Sequence, residues 1–434
     1  MNLAALIAYG VVNASMIAYY LLSGKTRYFE FPLWGGLVGL GWFLPQAIGA
    51  YRNIESLPEG FFVKGMLFAT VCTLAMCGGF RRGFAKSDVT WLKARYDSNR
   101  MYFSCTALCL AGFLFLYKLE TLPEEMLNSS QWTGPPVMYL FLSGMFALGF
   151  IGLFIQYLNQ DKWFNSRYIL LIPSLLLLLM PVLLHGRRGQ AMNLIAYTIF
   201  ILWFVRRVAV PRVWIGVGIM GAILLVNAIG LFRSAMGGSE GLPLGERLQL
   251  AVQQDYLEAN KALLDKPGAE FKNYIYRMAA CEKLGAYDYG LFHWNKFVFN
   301  YIPAQLVGRS LKQGLMVDFI DAKKAGKLAF GYTGPGGATQ TGYLDAYASF
   351  GYFGFVKFWI GGWIMGTLYR HAMMGFFLPQ LLYVMGVRAG VEGITHSTNE
   401  ILIRIWVYFF IFAYIPFYWS KIGNGNSGEK KEVC

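Results

Sequence analysis

The sequence predicts an all-α polytopic membrane protein with about eleven transmembrane helices and one large extracytoplasmic loop domain. Three observations predict it. Of the 434 residues, 56% are hydrophobic and only 14% charged, whereas soluble domains carry about a quarter charged residues. Aromatic residues reach 17% and the mean hydropathy is +0.42. The apolar residues also fall into runs of about 17 to 25, the length of a helix that crosses a bilayer with its backbone internally hydrogen-bonded.

In chain order the runs lie near 2–22, 31–50, 61–79, 101–117, 136–157, 168–184, 191–205 and 213–232, then 350–369, 372–388 and 401–420. The first eight spans form a bundle over 1–232. Residues 233–349 form the loop domain, and 350–434 hold the last three spans and a short cytoplasmic tail. The N-terminal run shows no small-residue cleavage site and is long enough to be a span itself.

The formal net charge of +14 would suggest nucleic acid in a soluble chain. Here a positive-inside bias accounts for it, and no nucleic-acid partner is expected. If the loop with Arg81, Arg82, Lys86, Lys93, Arg95 and Arg100 is cytoplasmic, alternation also places Lys25, Arg27, Lys162, Arg167, Arg206, Arg207, Arg212, Arg370, Lys421, Lys430 and Lys431 inside. The short opposite loops offer only Arg52, Lys118, Arg187, Arg188 and Arg388. This bias sets the N-terminus outside and the C-terminus inside, and the loop domain faces away from the cytoplasm. The cysteines Cys72, Cys77, Cys105, Cys109, Cys281 and Cys434 form no CxxC and read as small core residues.

The loop domain is the one long polar passage in the chain. Leu244, Leu248, Ala251 and Val252 recur at helical spacing among charges, the pattern of a water-exposed amphipathic helix. Arg233, Arg277, His293, Arg309 and Lys312 are candidates for anion contacts, and Asp288, Asp318 and Asp345 for acid–base work. Cations and anions nearly balance here, so most are read as solvated, and His293 reads first as a structural histidine. Gly331 to Gly342 form a glycine-rich loop without GxxxxGK[ST] or GxGxxG, a weak nucleotide site.

Two clusters stand out on the outer side. Arg187 and Arg188 share one short turn between spans, where charge at the hydrocarbon edge calls for a partner. They read either as snorkelling to lipid headgroups or as a clamp for an anion such as phosphate, which the guanidinium fork fits. An outer-leaflet phosphate points to a lipid-linked substrate. Arg388, Glu392, His396, Glu400 and Arg404 recur every four residues between the last two spans. Neighbours in that series touch if the segment is helical, although Gly390 and Gly393 argue for loop in its first turns. The cluster reads as a salt-bridged helix end or as the polar rim of a site. No HExxH or second nearby histidine supports a metal, and none is expected.

With these residues in place, the chain over about 180–410 resembles the bacterial oligosaccharide repeat-unit polymerases of the O-antigen and enterobacterial common antigen type. The family's G-x-R opening of a span is matched by Gly186, Arg187 and Arg188. Its I-P…G-R/K-P segment is matched by Ile302, Pro303, Gly308 and Arg309, with Ser310 where proline is usual. Its glycine and aromatic entry into a late span is matched by Gly331, Thr333, Gly342, Phe350, Gly351 and Gly354. The late arginine and acidic patch is similar to Arg388 to Arg404.

The resemblance implies a GT-C-like multispan glycosyltransferase in the bacterial inner membrane. It would polymerise undecaprenyl-diphosphate-linked oligosaccharide repeat units at the periplasmic face, without nucleotide sugar, cofactor or metal. Arg187 and Arg188, helped by Arg309 and Arg277, would bind the diphosphate, and Lys312, Arg388 and Arg404 complete the substrate-binding set. The base that deprotonates the acceptor hydroxyl would be Glu392, His396, Asp345 or His293, with the first two ranked ahead for their charged neighbours. Membrane lipid, a chain-length regulator and a flippase are the partners implied. An O-antigen ligase, which hands glycan to lipid A core, and a secondary transporter are the alternatives.

Overall fold

The computed structural model describes residues 1–24, 26–123, 126, 134–160, 165–185, 188–209, 211, 265, 268–335, 338–422 and 432–433. The side chains of 180–185 and 188–192 are not part of that description. The expected span at 213–232, the amphipathic helix, Arg233 and Arg187 lie outside the described residues, as does the side chain of Arg188.

The described chain is mostly helical. In order it forms α1 (Asn2–Leu22), α2 (Phe31–Val38), α3 (Leu44–Arg52), α4 (Phe61–Lys86), α5 (Ser98–Glu120), α6 (Pro135–Leu158), α7 (Leu171–His185) and α8 (Arg188–Arg206). After them come α9 (Ala269–Leu284), α10 (Leu291–Tyr301), α11 (Ala304–Val307), α12 (Arg309–Leu315), α13 (Ala322–Phe330) and α14 (Gly342–Phe350). The last three are α15 (Phe355–Met373), α16 (Phe377–Thr395) and α17 (Glu400–Ser420). Among the described residues α1, α4, α5, α6 and α17 are long and apolar enough to cross a membrane. Against the expectation of about eleven spans, α15 and α16 fall outside this group; each is a 19-residue helix in which glycines and polar side chains, among them Lys357 and Arg370 or Arg388 and Glu392, interrupt the apolar run. The β-pairing among the described residues is the two-residue contact of Tyr96–Asp97 with Glu432–Val433 and one isolated bridge of Tyr96 to Lys421.

Glycines decide how the helices meet. A Cβ on Gly79 would fall 2.0 Å from Trp359 O, and one on Gly83 2.2 Å from Trp363 O. In return, a Cβ on Gly362 would meet Met76 O at 2.1 Å and one on Gly366 would meet Phe80 O at 2.1 Å. Two G-x-x-x-G faces thus press backbone to backbone, and the matched order of contacts makes α4 and α15 parallel. Gly112 of α5 meets Phe146 of α6, while Gly149 meets Cys105 and Cys109, so this pair is antiparallel.

Gly390 and Gly393 do not loosen α16, which stays helical to Thr395. They are close-approach positions. A Cβ on Gly390 would stand 2.2 Å from the Phe31 ring, and the Gly393 carbonyl lies 1.9 Å from where a Gly342 Cβ would be. Neighbouring helices occupy the space that a side chain would need, so tertiary contact outweighs glycine's weak helix propensity.

The elements after residue 268 share one core with the bundle. Tyr274 of α9 donates to Gly65 O at 2.8 Å, and the hydroxyls of Tyr9 and Tyr343 are 3.1 Å apart. Phe43 packs its ring against Phe271 and Tyr343, with centroids 5.3 and 4.9 Å away. At the opposite end of α15, Arg370 Nη1 donates to Phe84 O and Ala85 O at 2.9 and 2.6 Å. Arg207 donates to Met373 O at 2.6 Å, and Arg167 to Asn99 Oδ1 at 2.8 Å. Cations from separate basic loops therefore gather at one end, satisfying exposed helix carbonyls.

Candidate functional site

Helices α16 and α17 carry the first half of the site. Along α16, Arg388 and Glu392 stand one turn apart, and Arg388 Nε donates to Glu392 Oε1 at 2.8 Å. On α17, Arg404 Nη1 donates to Glu400 Oε2 at 2.7 Å and reaches across to Glu392 Oε2 at 3.4 Å. Lys296 of α10 adds a third cation, 3.2 Å from Glu400 Oε1. The first segment of α17, Glu400–Arg404, is a π turn. Such a widened turn changes which residues face a neighbour, and it recurs at functional positions.

Arg388, Glu392 and Arg404 line a cavity of about 350 Å³ whose other walls are mainly apolar side chains of α5, α6, α7, α8, α16 and α17. Asn193, Tyr197 and Ser143 add a few polar groups, and the exposed carboxylate of Glu120 stands at the rim. Phe113, Tyr117 and Leu140, all exposed, form its outer edge, so the cavity opens toward the surroundings of the bundle. Half-buried guanidinium groups beside an apolar slot suit a ligand with an anionic head and a hydrocarbon tail.

The second half is a buried polar centre between α10, α14, α15 and the link Ser397–Asn399. Asp345 is fully buried, and Lys357 and His293 nearly so. Lys357 Nζ donates to His293 Nε2 at 2.6 Å, to Ser349 Oγ at 2.6 Å and to Asp345 Oδ1 at 3.3 Å. Because Lys357 occupies Nε2, the network assigns the neutral His293 with its proton on Nδ1, donating to Asn399 Oδ1 at 3.3 Å. Asp345 Oδ2 accepts from Thr398 N at 2.8 Å, Thr398 Oγ1 at 2.5 Å and Ser397 Oγ at 3.2 Å. Ser349 Oγ passes the network on to Asp288 Oδ1 at 2.9 Å, and Asp288 also accepts from Gly290 N at 2.7 Å.

The electrostatics follow from burial and partners. Burial pushes the His293 imidazole below its usual range, and the Lys357 charge adds to that against the opposing pull of Asp345. For Asp345 burial would raise the carboxyl, but Lys357, His293 and Thr398 outweigh it and hold it low. The centre is thus an ammonium–carboxylate pair with a neutral imidazole, its ionic members satisfied on every side. Enclosed this way, the centre holds the geometry of the elements around it. Thr398 and Asn399 lead directly into Glu400, so the buried centre anchors the segment that presents the half-buried ion cluster.

The sequence-derived candidates separate accordingly. Glu392, Arg388 and Arg404 converge on the cavity. Asp345 and His293 join the buried centre. His396 caps α16 with an exposed side chain, its Nδ1 2.7 Å from Thr395 Oγ1. Arg309 is exposed on α12, and Lys312 donates to Phe299 O at 2.7 Å. Asp318 forms an exposed pair with Lys324 at 3.1 Å. Arg277 is buried between α9 and the turn after α13 and does not line the cavity. Arg187 and the Arg188 side chain lie outside the described residues, but α8, which begins at Arg188, supplies Asn193 and Tyr197 to the cavity wall.

Lys357 is a residue of the centre that the sequence pattern does not single out. The available signal was a lone lysine inside an apolar run, which demands a buried counter-ion. The partner, Asp345, stands twelve residues earlier across a sharp turn at Gly351, φ +57°, which a sequence pattern does not expose. No family model, no curated protein and no solved structure matches this chain.

Proposed function

We propose that the chain is a membrane glycosyltransferase that uses a polyprenyl-diphosphate-linked glycan as donor, polymerising undecaprenyl-diphosphate-linked repeat units. The observation that carries the reading is the position of Arg388 and Arg404 at the head of an apolar cavity open to the bundle's surroundings. A polyprenyl chain fits the apolar walls, and a diphosphate fits the two guanidinium groups.

The chemistry needs a group to bind leaving charge and a base for the acceptor. In the ligand-free arrangement Glu392 neutralises Arg388 and Arg404 together. A diphosphate that takes over both guanidiniums releases Glu392. The acceptor hydroxyl oxygen then attacks the anomeric carbon while the bond from that carbon to the diphosphate oxygen breaks. Its electron pair leaves on the diphosphate, and the hydroxyl proton passes to Glu392. Glu400, fixed by Lys296 and Arg404, keeps the second guanidinium in place. Orientation at the periplasmic face of the bacterial inner membrane belongs to the same proposal, supported by the gathering of basic loops at the opposite end of α15.

The test is extension of a purified undecaprenyl-diphosphate repeat unit by the purified protein in lipid nanodiscs. Ladders of lengthened lipid-linked product support polymerisation. Transfer only to lipid A core supports the ligase reading. A secondary transporter is the second reading, favoured by the buried Lys357–Asp345–His293 centre and the π turns of α17. Solute uptake by sealed vesicles without any glycan product would establish that reading and overturn the first.

A further inference from the structure

Away from the cavity, one buried basic group has no partner among the described residues. Arg277 of α9 is only 7% exposed, yet among the described residues it makes no hydrogen bond and no ion pair, and its Nε is enclosed without an acceptor. One turn earlier Asn273 is fully buried. Its Oδ1 accepts from Tyr332 at 2.8 Å, but its Nδ2 has no acceptor. Residues four apart on a helix present neighbouring side chains, so two unsatisfied sets of donors stand together.

The turn after α13 crosses directly over them. Gly334 has φ +72°, and a Cβ there would fall 3.1 Å from Arg277 Nη2 and 2.5 Å from Asn273 Oδ1. Only glycine lets the turn backbone pass this close to the two side chains. The neighbouring carboxylate, Asp321, is engaged in capping α13 through Lys324 N at 2.7 Å. Arg388 and Arg404 each hold a carboxylate, whereas Arg277 holds none. Burial also pushes the Arg277 guanidinium below its usual range, a penalty that a native fold offsets with an anion or a strong acceptor.

We propose that Arg277 and Asn273, beneath the turn at Gly334, form an oxyanion-binding site separate from the α16–α17 cavity. The donors are a planar fork and a primary amide, which match the oxygens of one carboxylate or phosphate group. The two sources are an acidic sugar and a phosphoryl group. The site shares no lining residue with the cavity and does not rest on the lipid-diphosphate reading.

The test measures binding and thermal melting of the full chain in detergent, with inorganic phosphate and with glucuronate at matched ionic strength. One of the two raises the melting temperature of the native protein, and the one that does so names the source. Arg277→Gln weakens that ligand by at least about 10-fold. Without ligand, Arg277→Met melts above the native protein, because an uncompensated buried charge has gone. Asn273→Asp supplies the missing carboxylate internally, so it also melts higher and no longer responds to either anion. The proposal is overturned if neither anion protects the native protein, if the response disappears in Arg388→Ala and persists in Arg277→Gln, or if Arg277→Met and Asn273→Asp both melt lower.

Discussion

The hydroxyl of Thr398 donates to Asp345 Oδ2 at 2.5 Å, and this bond ties the buried ionic centre to the chain that presents Glu400 two residues later. Asp345 itself is reached by Lys357 through a shared oxygen environment with His293. Rigid support of a half-buried ion cluster by an enclosed, satisfied network is the arrangement that precise binding of charge requires.

Removing a guanidinium from the cavity should remove function before it removes the fold. Arg388→Ala and Arg404→Ala are each expected to lower glycan extension by about 10²-fold or more, with unchanged membrane insertion. Extension assays with purified lipid-linked repeat unit check this, and full activity in the double variant would discard the assignment.

Lys357→Met leaves Asp345 buried without its cation, and we expect a loss of about 3–5 kcal/mol in stability. The double variant Lys357→Met with Asp345→Asn should recover much of it. Unfolding of the two variants side by side measures the coupling, and equal instability in both would mean the pair does not act as one unit.

His293 contributes a pH dependence with a definite sign. Its folded value is depressed below the usual 6.5, so on acidification the unfolded chain takes up the proton first. Stability from this group is complete above about pH 6.5 and falls as the pH drops below it. His293→Gln keeps an acceptor for Lys357 and should flatten the melting profile between about pH 6.5 and 5. An unchanged slope in the variant would assign the effect elsewhere.

The parallel crossing of α4 and α15 makes a comparison of two glycines of α4 decisive. Gly83→Ala places a methyl 2.2 Å from Trp363 O, whereas a Cβ on Gly78 meets nothing within 4 Å. The first should destabilise by about 1–3 kcal/mol through forced helix separation, and the second should be neutral. Melting temperatures of both variants in one detergent provide the measurement.

Much of the fold was legible because hydrophobicity is local. A run of apolar residues has to be satisfied by lipid or by other helices wherever it lies, so α1, α5, α6 and α17 appear in the sequence within a few residues of their structural limits, while α4 runs on past the expected 79 to Lys86 through residues expected as loop. The same reasoning misplaced Gly390 and Gly393 as loop signals. Their role depends on Phe31 and Gly342, which stand far away in the chain. In the site, the four-residue spacing suggested the contacts of Arg388 with Glu392 and of Glu400 with Arg404, whereas His396, the middle member of the series, turns to Thr395 instead. The spacing could not show that a π turn and a second helix bring Arg404 back to Glu392.

By itself the sequence determined that this is a helical membrane protein and that the charges near its last two spans need partners, because desolvation penalises charge whatever the topology. Only the tertiary structure decided which partner each charge received. Lys357 found Asp345 and His293, Glu392 took two arginines, and Arg277 was left with its Nε enclosed and no partner among the described residues. Electrostatic pairing acts over a few ångströms of space, and distance along the chain does not report it.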